Sequence, residues 1–203
     1  MATATDERVK EIKRSFRLQM NGVASASMRE KGVSYGINWG ISLPQLREQA
    51  ATLGKDYELA IALWKENVRE CKILATLVMP AERMLPEVAD IWMEQMPTVE
   101  MAEIAALNLF QHLPYAAEKS YQWIATDNEL QQVSGFHTLA RLFGKGQEPN
   151  ERGINEYLDQ LQAAIEGGSP SVRRAATASL NRFAGLGLMY ERLAQSVMRR
   201  MGR

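Results

Sequence analysis

The sequence predicts an all-α protein: a helical-repeat solenoid, an α-α superhelix built from antiparallel helix pairs. Three observations predict it. Ala, Leu, Glu, Gln, Arg and Met dominate nearly every segment of the 203 residues, and these residues lose least on entering a helix. No run alternates apolar and polar positions with the β-branched enrichment of a strand. The breaks between periodic segments are short, and short connections make consecutive helices lie antiparallel.

The first helix is expected from Asp6 to Met20, where Val9, Ile12, Phe16 and Met20 form one apolar stripe. A short helix follows at Ala24 to Lys31. Gly32 to Gly40 reads as a loop because three glycines interrupt it, a turn holding Tyr35 and Trp39 against the next helix. Ser42-Leu43-Pro44-Gln45 is a capping box with an early proline, starting a helix that ends near Gly54. Asp56 caps the next, which carries Leu59, Ala60, Leu63 and Trp64. Further helices are expected at Val68 to Val78, Ala81 to Met96, Thr98 to Leu113, Tyr115 to Ala125 and Asp127 to Phe143. Gly144 to Pro149 is linker-like. Asn150 to Glu166, Ser169-Pro170 to Ala184, and Leu188 to Met201 complete about eleven helices.

From Met79 to Gly168 the helix pairs recur at about 40 to 45 residues, the length of HEAT-type units. The chain 1–203 therefore reads as one HEAT-like repeat domain, with N-terminal helices over 6–31, repeats over about 42–184 and a terminal helix over 188–201. Stacked hairpins curve, and the concave face of such a stack binds something extended.

Hydrophobic residues at 46% and charged residues at 24% exclude a disordered chain. One cysteine, Cys71, excludes a disulfide framework and fits a reducing compartment. Met1 to Lys13 lacks an apolar signal core, and the longest apolar run, about Ile73 to Met79, is too short to span a bilayer. The expectation is a cytoplasmic protein with no membrane contact.

Twenty-four basic and 24 acidic side chains give zero net charge, which excludes a uniformly basic nucleic-acid coat. The distribution is uneven. Residues 82–166 hold five basic and fourteen acidic residues, −9, whereas 167–203 hold seven and one, +6. The seven are Arg173, Arg174, Arg182, Arg192, Arg199, Arg200 and Arg203, with no Lys among them. The planar guanidinium fork matches phosphate. Two readings stand: a solvated helix surface, or a phosphate-binding face.

Enzyme chemistry is sparse. His112, His137 and Cys71 have no metal-ligand spacing. His112 beside Pro114 suits a helix C-terminus, His137 a partly buried position, and Cys71 a buried thiol. No nucleophile elbow, P-loop or dinucleotide fingerprint occurs, so neither a metal nor another cofactor is expected. Trp39, Trp64, Trp92 and Trp123 read as core packing.

Leu46-Arg47, Lys55-Asp56-Tyr57-Glu58-Leu59-Ala60, Leu63-Trp64 and Arg69-Glu70 before an apolar helix resemble the AlkD-like family of helical-repeat DNA glycosylases, which excise alkylated bases. The later order of Val99 to Phe110, Asp127-Asn128 to Leu142 and Val172 to Phe183 fits the same family. The resemblance covers roughly residues 27 to 185. It implies a Trp-Asp-x-x-Asp motif whose last Asp stabilises positive charge on the deoxyribose. Aligned through Asn108-Leu109-Phe110, this chain reads Val99-Glu100-Met101-Ala102-Glu103. The aromatic is gone and each Asp is replaced by Glu. A second family Trp falls at Ala178, and a family phosphate-binding Arg falls, with a one-residue gap, near Gln132.

The resemblance implies double-stranded DNA as partner and puts Gln132 at its phosphates, and the Arg-only cluster adds Arg173, Arg174 and Arg182 as phosphate-binding candidates. Arg174 and Arg182 stand at i−4 and i+4 from Ala178, on one helix face. The catalytic candidates are Glu103 and Glu100. Glu103 reads either as a surface or capping acid or as the surviving carboxylate. The function expected is DNA binding with base excision lost or weakened, by a monomer. The alternatives are an active alkylpurine glycosylase using Glu103, or a scaffold for a protein partner.

Overall fold

Side-chain caps start most helices where the sequence asks for them. In a computed structural model that describes residues 3–202, Ser42 and Gln45 form a reciprocal capping box with proline in the first turn of the following helix. Asp56 Oδ1 accepts from Leu59 N at 3.0 Å, and Asn128 Oδ1 accepts from Leu130 N and Gln131 N. Each satisfies backbone donors that a helix start otherwise leaves open.

The chain divides into two compact units, Met1–Leu109 and Phe110–Arg203. The first holds α1 (Ala4–Leu18), α2 (Gly22–Glu30), α3 (Leu43–Leu53), α4 (Tyr57–Lys65), α5 (Arg69–Val78), α6 (Pro86–Glu94) and α7 (Val99–Asn108). The second holds α8 (Ala116–Ile124), α9 (Glu129–Gly144), α10 (Glu151–Gly167), α11 (Pro170–Ala184) and α12 (Leu188–Arg200). Two short 3-10 turns, Ala81–Arg83 and Phe110–His112, complete the set. Among the described residues there is no strand, only an isolated parallel bridge between Ile37 and Val68. None of their helices is long and apolar enough to cross a membrane.

Two expected helices are shorter than their periodicity suggests. The helix expected over Ala81 to Met96 begins only at Pro86. Leu85 is extended, at φ −73 and ψ 152, because the proline ring crowds the residue before it. The helix expected over Thr98 to Leu113 ends at Asn108, where Leu109 leaves helical geometry, and Phe110–His112 tightens into a 3-10 turn.

In the first unit α5 is buried on nearly every side and packs against α3, α4 and α7. Trp64 and Trp92 stack face to face beside it, centroids 4.2 Å apart and planes within 3°. Lys72 lies 4.5 Å over the Trp64 ring and donates to the Trp64 carbonyl at 2.7 Å. Burial pushes its pKa down. Cys71 is fully buried, and burial pushes its thiol up to about 12. Trp39 is only half-buried, so three of the four tryptophans are core residues.

In the second unit α9 packs on both α8 and α11. Phe143, Tyr157, Phe183 and Tyr190 form a contiguous aromatic cluster with centroid separations of 4.9 to 5.5 Å. The Tyr157 hydroxyl donates to Ser179 Oγ at 2.9 Å, which satisfies both groups inside it. Gly135 lets α9 approach α8: a Cβ there would sit 2.8 Å from the Ser120 carbonyl oxygen.

Gly135→Ala is therefore expected to lower unfolding free energy by about 1–3 kcal/mol, since backbone must move to admit one methyl; urea denaturation measures it. Asp56→Ala is expected to cost about 1 kcal/mol at neutral pH. The Leu59 N–H, then the Arg8 guanidinium, hold the Asp56 carboxyl below its ordinary range. Its contribution is thus complete above the unfolded value of about 4 and disappears as pH falls through the lower native value. Thermal melts of both proteins between neutral and acid pH should converge at the acid end.

Candidate nucleic-acid interface

The sequence of α11 divides cleanly by face. Val172, Ala175, Ala176, Ser179, Leu180 and Phe183 are buried, held by the aromatic cluster and by α9. That fixes the helix's rotation and turns Arg173, Arg174, Thr177, Ala178, Asn181 and Arg182 outward, all exposed. Ser169 begins the helix, its Oγ accepting from Val172 N at 3.3 Å while donating to Glu129 Oε1 of α9. Pro170 fills the first turn.

Pro170, Arg173, Arg174, Thr177, Ala178 and Asn181 line a shallow open depression along this face. The small side chains of Thr177 and Ala178 leave its floor low between the arginines. The α11 segment contains no acidic residue, and Arg173, Arg174 and Arg182 form no salt bridge among the described residues. The stem of Arg182 runs past the end of α9, where a Cβ on Gly144 would lie 3.8 Å from Arg182 Cδ. Lys145 follows Gly144 and is exposed. Across the neighbouring groove to α12, Arg199 shares a lining with Thr177 and Asn181, together with Glu191. Arg192 and Arg200 are also exposed, and Arg203 lies outside the described residues.

Arg174, Ala178 and Arg182 thus occupy one exposed row, as i, i+4 spacing requires. Sequence reasoning missed Thr177 and Asn181, which the same arithmetic from Arg173 would have found. Gln132 sits in the first turn of α9, half-buried, and its Nε2 donates to the Thr126 carbonyl at 2.7 Å. That donor holds the turn between α8 and α9.

The two candidate carboxylates lie on α7, in the other unit. Glu103 is half-buried. Glu100 is held by Arg69, a guanidinium only 4% exposed. Arg69 Nη2 donates to Glu100 Oε1 at 2.7 Å and Nε to Oε2 at 3.1 Å, a bidentate pair. The Tyr35 hydroxyl donates to Glu100 Oε2 at 2.8 Å. Arg69 Nη1 also donates to the Ile41 carbonyl, and Glu70 accepts from the backbone N–H of Trp39 and Ile41. The glycine-bearing loop is therefore fastened to α5 and α7. Burial alone would lower the Arg69 pKa, but Glu100 and then Glu70 outweigh it and the net shift is upward. Burial, then the Glu100 charge, pushes the Tyr35 phenol up.

Among the described residues no group of three His, Cys, Asp or Glu side chains is placed to hold a metal ion.

A family model described as "DNA alkylation repair enzyme" matches residues 3–183. A solved structure of "a new family of proteins related to the HEAT-like repeat DNA glycosylases with affinity for branched DNA structures" superposes with a TM-score of 0.84 at 16% identity, covering 94% of this chain and 81% of that one. The fold is therefore all-α and of the HEAT-like repeat class. No curated protein matches the chain.

Breaking the Arg69–Glu100 pair strands a buried cation. Glu100→Ala is expected to lower unfolding free energy by about 3 kcal/mol, the low end of the range for buried pairs because Glu100 retains some solvent contact. The double change Arg69→Met with Glu100→Leu should recover only part of that loss in the same denaturant titration, because Arg69 also serves the buried Glu70 carboxylate and the Ile41 carbonyl.

Proposed function

The chain belongs to the DNA alkylation repair enzyme family, and on that premise we propose that it is a DNA-binding repeat protein whose base-excision reaction is lost or weakened. The observation that carries the reading is the exposed face of α11, with Arg174 and Arg182 flanking Ala178 and no acid on the helix. Guanidinium groups left without protein carboxylates are available to phosphate oxygens, and phosphate contacts supply affinity without reading sequence. Arg173 and Gln132 belong to the same proposal as lesser contributors. The fold's likeness to proteins with affinity for branched DNA extends the reading to branched as well as linear duplex.

The weakened chemistry rests on what stands at the motif. Glu100 is engaged bidentately by Arg69 and cannot swing without abandoning a buried cation. Glu103 carries its carboxylate one methylene further from the backbone than Asp does, and catalytic geometry is sensitive to displacement of about 1 Å. Val99 and Ala178 supply no ring face, and each aromatic contact with a desolvated cation is worth about 0.5–2 kcal/mol.

Affinity for a duplex should fall steeply with salt. Arg174→Ala with Arg182→Ala should make the slope of log K against log salt shallower by about 2, roughly 0.9 for each phosphate contact removed. Fluorescence anisotropy across a salt series measures this, and an unchanged slope would remove α11 from the interface. Methylated duplex incubated with excess protein should release little or no purine base. Release that vanishes in Glu103→Gln would make the chain an active glycosylase instead.

A further inference from the structure

The turn between α1 and α2 sets three large apolar side chains in open solvent. Leu18 is 89% exposed, Val23 83% and Met20 63%. The turn is firmly built. Asn21 N–H donates to the Trp39 carbonyl at 2.8 Å, Asn21 Oδ1 caps α2 through Ala24 N, and Ser25 Oγ donates to the Asn38 carbonyl at 2.8 Å. Gly40, at φ +73, approaches so closely that a Cβ would stand 2.2 Å from the Asn21 carbonyl oxygen. Phe16, one turn before Met20, is fully buried. The apolar tip is therefore presented by a fixed turn.

The segment that carries it is rich in cations. Arg14 precedes Leu18 by one helical turn, and Arg17 adjoins it with its guanidinium 5.9 Å over the Trp39 ring. Arg29 and Lys31 close the far end of α2. Glu30 is the sole acidic residue from 14 to 31. Arg14, Arg29 and Lys31 form no salt bridge among the described residues.

An apolar point with cations beside it fits a polyanion that exposes apolar ring faces. Intact duplex offers the phosphates but hides its base faces in the stack. At a branch point the terminal base pairs are uncovered, and aliphatic side chains can cover one without first prising a step apart. A lipid surface fits less well. Interfacial helices need an apolar face along their length, and that of α1, Val9, Ile12 and Phe16, is buried in the protein.

We propose that Leu18, Met20 and Val23 seat against the exposed base pair of a DNA branch point, so that the chain favours branched over linear DNA. The proposal rests on the DNA-binding reading above and assigns the preference, whereas α11 supplies affinity common to both forms.

The test is competition binding of the full chain to a four-way junction and to a linear duplex of equal length, at fixed salt. The wild type should favour the junction. The variant Leu18→Ser, Met20→Ser, Val23→Ser should lose about tenfold in junction affinity while keeping duplex affinity and melting temperature, since exposed residues contribute little to the core. Arg174→Glu with Arg182→Glu should weaken both substrates alike. A wild type that binds both forms equally, or a triple variant that keeps the wild-type ratio, overturns the proposal and leaves the DNA-binding reading standing. Loss of self-association in sedimentation, with the ratio unchanged, overturns it in favour of a contact between copies. A wild type that binds neither substrate ends both.

Discussion

A single buried guanidinium organises the first unit. Arg69 reaches a carboxylate on α7, a carboxylate on its own helix and a carbonyl of the loop before α3. A charge this enclosed is tolerable only when each donor has an acceptor. That demand fixes where α7 and the loop must sit. It also commits Glu100, so a side chain that the motif alignment marks as chemical is used for architecture.

The second unit solves a different problem with aromatic packing. Phe183 is surrounded by Phe143, Tyr157 and Tyr190, and Ser179 is tied to Tyr157. These contacts prevent α11 from rotating. Its outward row of arginines is thus a consequence of what the opposite side buries, since every residue on a helix takes its direction from the same axis. Rigidity of that kind means that a ligand on the outward row would not have to order the helix backbone, although the arginine side chains themselves remain free to lose entropy on binding.

Local signals were the legible ones. Ser42, Asp56 and Ser169 announce their helices by chemistry confined to three or four residues, and the structure contains each cap. The two faces of α11 follow from spacing alone. Pro86 was equally visible, and the extended Leu85 before it is where the helix expected from Ala81 gives way. The Arg69 network was not legible: its partners lie 28 and 31 residues away, and nothing in either segment names the other. The same holds for Gly144, whose proximity to the Arg182 stem arises only when α9 and α11 pack. Glu103 shows the limit most plainly, since a sequence identifies a carboxylate but not its reach.

The parallel indoles of Trp64 and Trp92 give the molecule an optical consequence. Two identical chromophores 4.2 Å apart, with planes within 3°, couple their transition dipoles, and a lysine ammonium lies over one of them. The strong far-ultraviolet indole transitions of the first unit are accordingly expected to form a dichroic couplet wherever their dipoles are rotated against each other in plane, and to lose it once the rings separate. The second unit, with Trp123 as its sole indole, contributes no such couplet, so light alone distinguishes the two halves of the chain.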